Sequence, residues 1–267
     1  MSPGEIVDRL AQHLPRLQPG HVWLAGAGPG HPGGLTLEVA AALAGCDALV
    51  HDALVDAGVV AMAAGAQKIF VGKRAGQPSS KQEEINARLI ALARDGRRVL
   101  RLKGGDPYIF GRGGEEALAL AGAGIPFRFL PGVTAAFAAL GGAGIPPTMR
   151  GLNKALVLAT GHVAHGEDDL DWAALARTGQ PIVVYMGLKN LARIADRLAQ
   201  AGLSADTPAA VIVAATTPRE TVHVATLGTN AADAERLGLG SPALIVVGRI
   251  VAMRAALRGA VPPEPLS

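Results

Sequence analysis

The chain has little cysteine and few aromatic residues, and each scarcity excludes a class of protein. A single cysteine among 267 residues cannot form an intrachain disulfide, so we expect a reduced, cytoplasmic setting. Aromatic residues make up 3%, too few for a surface that stacks bases, so we expect no nucleic-acid partner. The uncharged run 129–147 holds proline or glycine at seven positions, so we expect no membrane helix there. Glu5 and Asp8 near the N-terminus are not typical of a signal peptide.

Charge is also scarce, at 18% of residues, whereas hydrophobic residues make up 49%. A disordered chain is therefore excluded. The net charge of +3 and the pI near 9.3 suit an anionic small-molecule substrate. The 35 glycines are grouped in clusters, which indicates loops where backbone segments approach something closely.

Short apolar runs alternate with helical patterns along most of the chain. Such runs predict parallel strands that are covered on both faces, and hence an α/β fold. After a Gly/Pro-rich connector near 141–151 the pattern restarts, with some antiparallel pairing expected. We therefore predict two α/β domains. The predicted limits are an N-terminal extension (1–20), a first domain (21–145), a second domain (146–257) and a C-terminal tail (258–267).

The first glycine cluster follows a predicted strand and precedes a predicted helix. Gly28, Gly30 and Gly33 match the dinucleotide pattern G-x-G-x-x-G, which predicts a nicotinamide-dependent oxidoreductase as one alternative. Pro29 and Pro32 argue against it, because proline has no N–H to donate to a pyrophosphate. A tight turn between strand and helix explains the same glycines.

The second cluster, RLKGGDPYIFGRGGEE at 101–116, combines three cations and three acids with five glycines. A turn at Asp106-Pro107 and dipole-favoured acids at Glu115-Glu116 explain part of it. They do not explain the arginine and the lysine at the strand end. The segment is not a phosphate-binding P-loop, since Lys103 precedes its glycines.

These segments carry a resemblance to a known family. The sequence contains, in one order between residues 22 and 248, GAGPG with a following LTL, VGKRAG, RLKGGDPYIFGRGGEE, PGVTAA, GIPPTMRG, VVYMGL, ATTPRE and SPALIVVG. Together they resemble the uroporphyrinogen-III C-methyltransferases within the tetrapyrrole methylase family. The resemblance implies two α/β domains with the active site in the cleft between them, and a homodimer.

The same resemblance implies an S-adenosylmethionine-dependent C-methylation of uroporphyrinogen III at C2 and C7, giving precorrin-2 and S-adenosylhomocysteine without a metal. It assigns the S-adenosylmethionine pocket to nine residues: Pro29, Gly104, Gly105, Asp106, Ile109, Thr134, Ala135, Met186 and Ala215. Glycine lets the backbone approach a cofactor, and Asp106 can hold a hydroxyl or ammonium group. Another precorrin methylase is the nearest alternative, and a non-catalytic binding protein is a more distant one.

Five residues match positions with roles in the chemistry. Asp52 and Lys73 match acid/base positions, and Arg112, Glu115 and Arg150 match positions that handle substrate carboxylates and the leaving proton. The base remains open between Asp52 and Arg112. Because the substrate carries eight carboxylates, we expect Arg101, Lys103, Arg112 and Arg150 to converge on it.

Some features depart from the family pattern or need no chemical role. His31, His51 and Met149 replace residues usual in the family. His162 and His165 lack further metal ligands nearby, so we expect no metal there. Some relatives are fused to a dehydrogenase and ferrochelatase domain. Because about 20 residues precede the first predicted strand, we expect those activities to be absent.

Overall fold

The computed structural model describes residues 3–72, 81–162 and 170–260. The chain divides into two compact units, Met1–Ala135 and Ala136–Ser267. This division falls ten residues before the predicted limit at 145, after the first residue of an uncharged apolar helix. The domain limits of the sequence analysis remain a prediction.

The first unit is built on five parallel strands. They are β1 (Val22–Gly26), β2 (Ala48–His51), β3 (Gln67–Phe70), β4 (Val99–Lys103) and β5 (Phe127–Leu130), in the order β3-β2-β4-β1-β5. The helices are α1 (Pro3–Ala11), α2 (Leu37–Gly45), α3 (Ala57–Met62), α4 (Gln82–Arg94) and α5 (Gly113–Gly122). Two separate clusters of buried residues pack on the sheet, one around Leu49 and Leu100 and one around Leu24 and Leu89. A parallel sheet with apolar residues on both faces confirms the α/β prediction.

Asp47 fixes the start of β2 against the start of β4. Its carboxylate accepts bonds from the Arg98 guanidinium at 2.7 and 3.0 Å and from the Arg98 backbone N–H at 2.9 Å. These bonds lower the pKa of Asp47 from 3.8 to about 2. Both side chains are partly exposed, so water screens the pair and its contribution to stability is small.

Replacing Asp47 by Asn is expected to lower the urea midpoint of the protein slightly at pH 7. Because the pKa is depressed on folding, the contribution is complete above pH 3.8 and is lost as the pH falls towards about 2. Urea titrations of both proteins between pH 7 and pH 2 check this. The two midpoints should converge at the acid end, and a difference that stays constant over this range would contradict the assignment.

The second unit is built on a mixed sheet. Its strands are β6 (Val157–Thr160), β7 (Ile182–Tyr185), β8 (Pro208–Val213), β9 (Thr221–Thr226) and β10 (Ala243–Val247), in the order β6-β7-β10-β8-β9. Its helices are α6 (Ala135–Gly142), α7 (Trp172–Arg177), α8 (Leu191–Gln200), α9 (Asn230–Arg236) and α10 (Met253–Ala260). β6 and β7 are parallel, and the other neighbouring pairs are antiparallel. The expected antiparallel pairing in the second half is therefore present.

The helices of both units are short compared with the thickness of a bilayer. Within the described ranges, none of the helices is both long enough and apolar enough to span a membrane.

Candidate active site

Three glycine loops meet at the carboxyl edge of the first sheet. Gly28 N donates to Gly105 O at 3.2 Å, and Gly105 N donates to Gly28 O at 2.6 Å. A Cβ atom on Gly26 would lie 2.7 Å from the Gly132 Cα, and one on Gly132 would lie 2.8 Å from the Gly26 Cα. The loops after β1, β4 and β5 therefore pack backbone against backbone. We call Gly26, Gly28, Gly105 and Gly132 the glycine seam.

The seam explains the first glycine cluster without a dinucleotide. Gly28 takes a positive φ of 70° and faces the Gly105 backbone, and a Cβ on Gly28 would collide with the Gly34 carbonyl. His31 Nδ1 accepts the Gly33 N–H at 3.0 Å, which closes the turn before α2. These N–H groups are thus used within the protein, as the tight-turn interpretation predicts.

Asp106 joins the β4 loop to the β5 loop. Its Oδ1 accepts the Tyr108 N–H at 2.8 Å, and its Oδ2 accepts the Gly132 N–H at 3.2 Å. Sequence reasoning assigned this carboxylate to a cofactor hydroxyl or ammonium group. In the structure it also holds the loop that leads through Thr134 to Ala135 at the start of an α-helix, and both are further residues of the predicted cofactor pocket.

Replacing Asp106 by Ala is expected to weaken S-adenosylmethionine binding by about 10-fold or more. Both backbone N–H groups lose their acceptor, which also costs about 1–3 kcal/mol of stability. Calorimetric titration at a temperature where the variant is folded measures the affinity. Asp95→Ala, at the exposed end of α4, is the matched control and should bind like the wild type. Unchanged affinity in Asp106→Ala would contradict the assignment.

The rest of the β4 loop carries exposed side chains on a strained backbone. Phe110 and Arg112 have positive φ values of 51° and 59°, which non-glycine residues adopt rarely. Tyr108 is half exposed and stacks on Phe129 with ring centroids 3.9 Å apart. Ile109, which stands between Tyr108 and Phe110 in the chain, is partly buried. Strain of this kind is concentrated at functional sites.

Arg112 and Glu115 form an exposed, bidentate ion pair at the start of α5. Arg112 Nε donates to Glu115 Oε1 at 2.8 Å, and Nη2 donates to Oε2 at 2.5 Å. The pairing raises the pKa of Arg112 and lowers the pKa of Glu115. Both predicted residues are therefore charged and accessible, and the Arg112 guanidinium is the one of the two that can bind an anionic ligand.

Asp52 follows β2 and contacts two buried cations. Arg101 Nη2 donates to Asp52 Oδ1 at 2.8 Å, and Lys103 Nζ lies 3.6 Å from Asp52 Oδ2. The Arg101 side chain is 1% exposed, the Lys103 side chain is 6% exposed and the Asp52 side chain is 27% exposed. The carboxylate is thus the part of this group that reaches solvent.

The structure corrects the expected role of Arg101 and Lys103. We expected both to face substrate carboxylates, but each is buried and binds Glu116 as well as Asp52. A buried cation needs a carboxylate partner inside the protein, and these two have theirs. Of the four cations expected to converge, Arg112 and Arg150 are exposed. Lys73 lies outside the described residues.

In the second unit, the predicted pocket residues lie along one edge of the sheet. Met186 follows β7, is half exposed and has a φ of 53°. Ala215 follows β8 between Ala214 and Thr216, which have φ values of 47° and 62°. Since β10 pairs with both β7 and β8, both loops lie beside its first residues. The Thr216 N–H donates to Glu220 Oε2 at 2.7 Å, whereas its buried Oγ1 has no partner among the described residues.

Arg150 lies on an exposed loop that Asn153 organises. Asn153 Oδ1 accepts the Met149 N–H at 2.9 Å, and Nδ2 donates to Pro147 O and Ala155 O at 3.0 and 2.9 Å. Asn153 is buried, so it fixes the loop from inside. Sequence reasoning missed it. An amide that closes a turn around Gly/Pro residues is a signal that could have identified it.

Cys46 and His162 lie in different environments in the structure. Cys46 is buried, and desolvation raises its pKa to about 11, which is typical of an unreactive structural thiol. His162 is exposed, and His165 lies outside the described residues. Across 3–72, 81–162 and 170–260 there is no group of three or more potential ligands that could hold a metal ion.

Comparison with known proteins agrees with the resemblance. The family described as Tetrapyrrole (Corrin/Porphyrin) Methylases matches residues 21–231. A uroporphyrinogen-III C-methyltransferase of Sinorhizobium sp is 48% identical over 255 residues, covering 94% of this chain and 91% of the relative. A siroheme synthase of Neisseria meningitidis serogroup B is 46% identical over 250 residues, covering 93% of this chain. The chain spans about half the length of that relative, at 51%.

A solved structure shares the fold. The uroporphyrin-III C-methyl transferase of Thermus thermophilus, crystallised with S-adenyl homocysteine, superposes with a TM-score of 0.76 at 38% identity. The alignment covers 87% of this chain and 99% of that one. The predicted fold class is therefore confirmed. The family match covers more than half of the sequence, and the chain belongs to the tetrapyrrole methylase family.

Proposed function

We propose that this protein is an S-adenosylmethionine-dependent uroporphyrinogen-III C-methyltransferase that methylates C2 and C7 to give precorrin-2. The main observation behind this proposal concerns the Asp52 carboxylate. It pairs with two buried cations and is itself partly exposed, and it lies at the carboxyl edge of the first sheet, where the glycine seam also lies. Carboxyl ends of parallel strands are where α/β proteins bind ligands. The 48% identity to a relative of this activity supports the same conclusion.

The chemistry of the predicted pocket residues fits S-adenosylmethionine. Its adenine ring and the carbons around its sulfonium sulfur suit the apolar or side-chain-poor surface that Pro29, Ile109, Ala135 and Met186 supply within their own units. The buried Thr216 Oγ1, beside Ala215, is a polar atom without a partner among the described residues and is able to bond a ligand. When bound, S-adenosylmethionine supplies an electrophilic methyl group.

The exposed cations fit a substrate with many carboxylates. Arg112 and Arg150 are exposed, and a planar guanidinium binds carboxylates through two parallel hydrogen bonds. Glu115 already holds Arg112 in a bidentate geometry, which keeps the guanidinium oriented. The net charge of +3 favours approach of such an anion.

Asp52 is the better candidate for the base. Methylation of a ring carbon is followed by loss of a proton, and an ionised carboxylate can accept it. Arg112 is disfavoured, because the pairing with Glu115 raises its pKa and stabilises the charged guanidinium. Lys73 keeps its proposed acid/base role on the resemblance alone.

We further propose that the protein acts as a cytoplasmic homodimer. A single, buried cysteine is compatible with a reducing compartment, and the family resemblance implies the dimer. Light scattering of the purified protein measures the molecular mass. A mass of one chain would refute the dimer.

Anaerobic incubation of the protein with uroporphyrinogen III and S-adenosylmethionine tests the activity. We expect mass spectrometry of the tetrapyrrole to show the addition of two methyl groups. Cofactor binding without methylation of this substrate would direct the search to later precorrins. Failure to bind S-adenosylmethionine would refute the whole proposal.

A further inference from the structure

Glu116 is the most deeply enclosed acid of the described first unit. Its side chain is 0% exposed, and its Oε1 accepts bonds from Arg101 Nε at 3.0 Å, Lys103 Nζ at 3.1 Å and Gln82 Nε2 at 3.3 Å. Its Oε2 has no partner among the described residues. Burying a carboxylate at this depth costs free energy unless cations neutralise it. The burial of Glu116 therefore depends on the two cations that it binds.

The helix explains why Glu116 and not Glu115 is buried. α5 turns Glu116, Ala117 and Leu120 towards the protein, whereas Glu115 and Leu118 face solvent. One face of an amphipathic helix is buried, and adjacent residues lie about 100° apart around the axis. The two neighbouring glutamates therefore have different environments and different partners.

Four charged groups form a closed ring. Arg101 bridges Asp52 and Glu116 through Nη2 and Nε, and Lys103 lies between the same two carboxylates. Two cations and two anions give a net charge of zero. Glu116 balances one of the cations, so that Asp52 faces the equivalent of one positive charge rather than two.

We propose that Glu116 is a positioning residue that sets the orientation and proton affinity of Asp52 by holding Arg101 and Lys103. This proposal deepens the proposed function, and it rests on that function for the role of Asp52 as base. The new proposal goes beyond the proposed function because it gives a role to Glu116, a residue that needs no contact with a ligand. Without Glu116, both cations would act on Asp52 alone and weaken it as a proton acceptor.

The test uses charge changes of opposite sign in near-isosteric variants. Glu116→Gln leaves the ring at a net charge of +1, Lys103→Met leaves it at −1, and the double variant returns it to zero. Within 3–72 and 81–162, the groups facing Asp52 are Arg101 and Lys103, with Glu116 behind them and His51 next in the chain. Glu83→Gln, an exposed change at the start of α4, is the control.

Two measurements are made on each protein. The first is the pH profile of kcat for methylation, and the second is titration of the Asp52 carboxyl by NMR on protein labelled with 13C at aspartate, assigned with Asp52→Asn. We expect the acid limb and the carboxyl titration to move to lower pH in Glu116→Gln and to higher pH in Lys103→Met, by about one pH unit each. The plateau kcat of Glu116→Gln should fall about 10-fold with little change in the KM for S-adenosylmethionine.

The double variant separates charge balance from packing. If charge balance is the cause, both profiles of the double variant return towards the wild-type pH, which would support the proposal. If Glu116 makes only a structural contact, the second substitution does not restore them. Unmoved profiles, or shifts of the same sign in both single variants, would overturn it. If Glu116→Gln does not fold, the profiles of Lys103→Met and of the double variant still test the proposal. The NMR titration needs no substrate, so it tests the proposal even if the wild type does not methylate uroporphyrinogen III.

Discussion

Replacing Asp52 by Asn is expected to lower kcat for methylation by about 100-fold or more while S-adenosylmethionine binds within about 3-fold of the wild type. The amide keeps the size of the side chain but cannot accept the proton that leaves the methylated ring carbon. The Asp52 oxygens bind Arg101 and Lys103, and those cations remain paired with Glu116 in the variant. Stopped assays of tetrapyrrole methylation and calorimetric titration of the cofactor measure the two quantities.

The matched control is Asp196→Asn, an exposed carboxylate on α8. It should leave kcat and affinity unchanged. Wild-type turnover in Asp52→Asn would remove Asp52 from the chemistry. A loss of cofactor affinity equal to the loss of kcat would instead place its role in binding.

Replacing Gly132 by Ala is expected to destabilise the first unit by about 1–3 kcal/mol and to abolish S-adenosylmethionine binding at concentrations that saturate the wild type. The new Cβ would meet the Gly105 carbonyl oxygen and would lie 2.8 Å from the Gly26 Cα. All of these atoms belong to backbone, so none of them can rotate away. The loops after β1, β4 and β5 would have to separate, and with them the predicted pocket residues.

Gly114→Ala is the control for this change. Nothing lies within 4 Å of a Cβ on Gly114, and its position in the first turn of α5 favours alanine. Urea unfolding should show equal or slightly higher stability, with normal cofactor binding. Normal binding in Gly132→Ala would show that the glycine seam does not shape the pocket.

Strands were predicted more fully than helices. The apolar runs predicted strands at Ala48–His51 and Phe127–Leu130, which are the bounds of β2 and β5, and the other eight strands also coincide with predicted runs to within about two residues at their ends. Buried strands stand out as short apolar runs between turn residues, and this sequence contains many of them. α3, α6 and α10 were not predicted. α3 has six residues, and the run of α6 is apolar on every side, so neither shows a helical period.

The loops of the site were predicted, whereas the ionic contacts within it were not. RLKGGDPYIFGRGGEE identified the β4 loop, but its letters do not tell which of two adjacent glutamates is buried. That choice depends on the phase of α5 against the sheet. We assigned Arg101 and Lys103 to the substrate, but a cation at a strand end is equally compatible with a carboxylate partner inside the protein. The side chain that decided between the two, Glu116, lies 13 and 15 residues away in the sequence.

Methyl transfer from S-adenosylmethionine labelled with 13C in its methyl group is the decisive test of C-methylation by this protein. The labelled donor is incubated anaerobically with the protein and uroporphyrinogen III, and the product is analysed by mass spectrometry and NMR. We expect two labelled methyl groups, each bonded to a ring carbon, and almost none with Asp52→Asn. Label on carboxylate oxygens, or no label on the tetrapyrrole although S-adenosylmethionine binds, would contradict it.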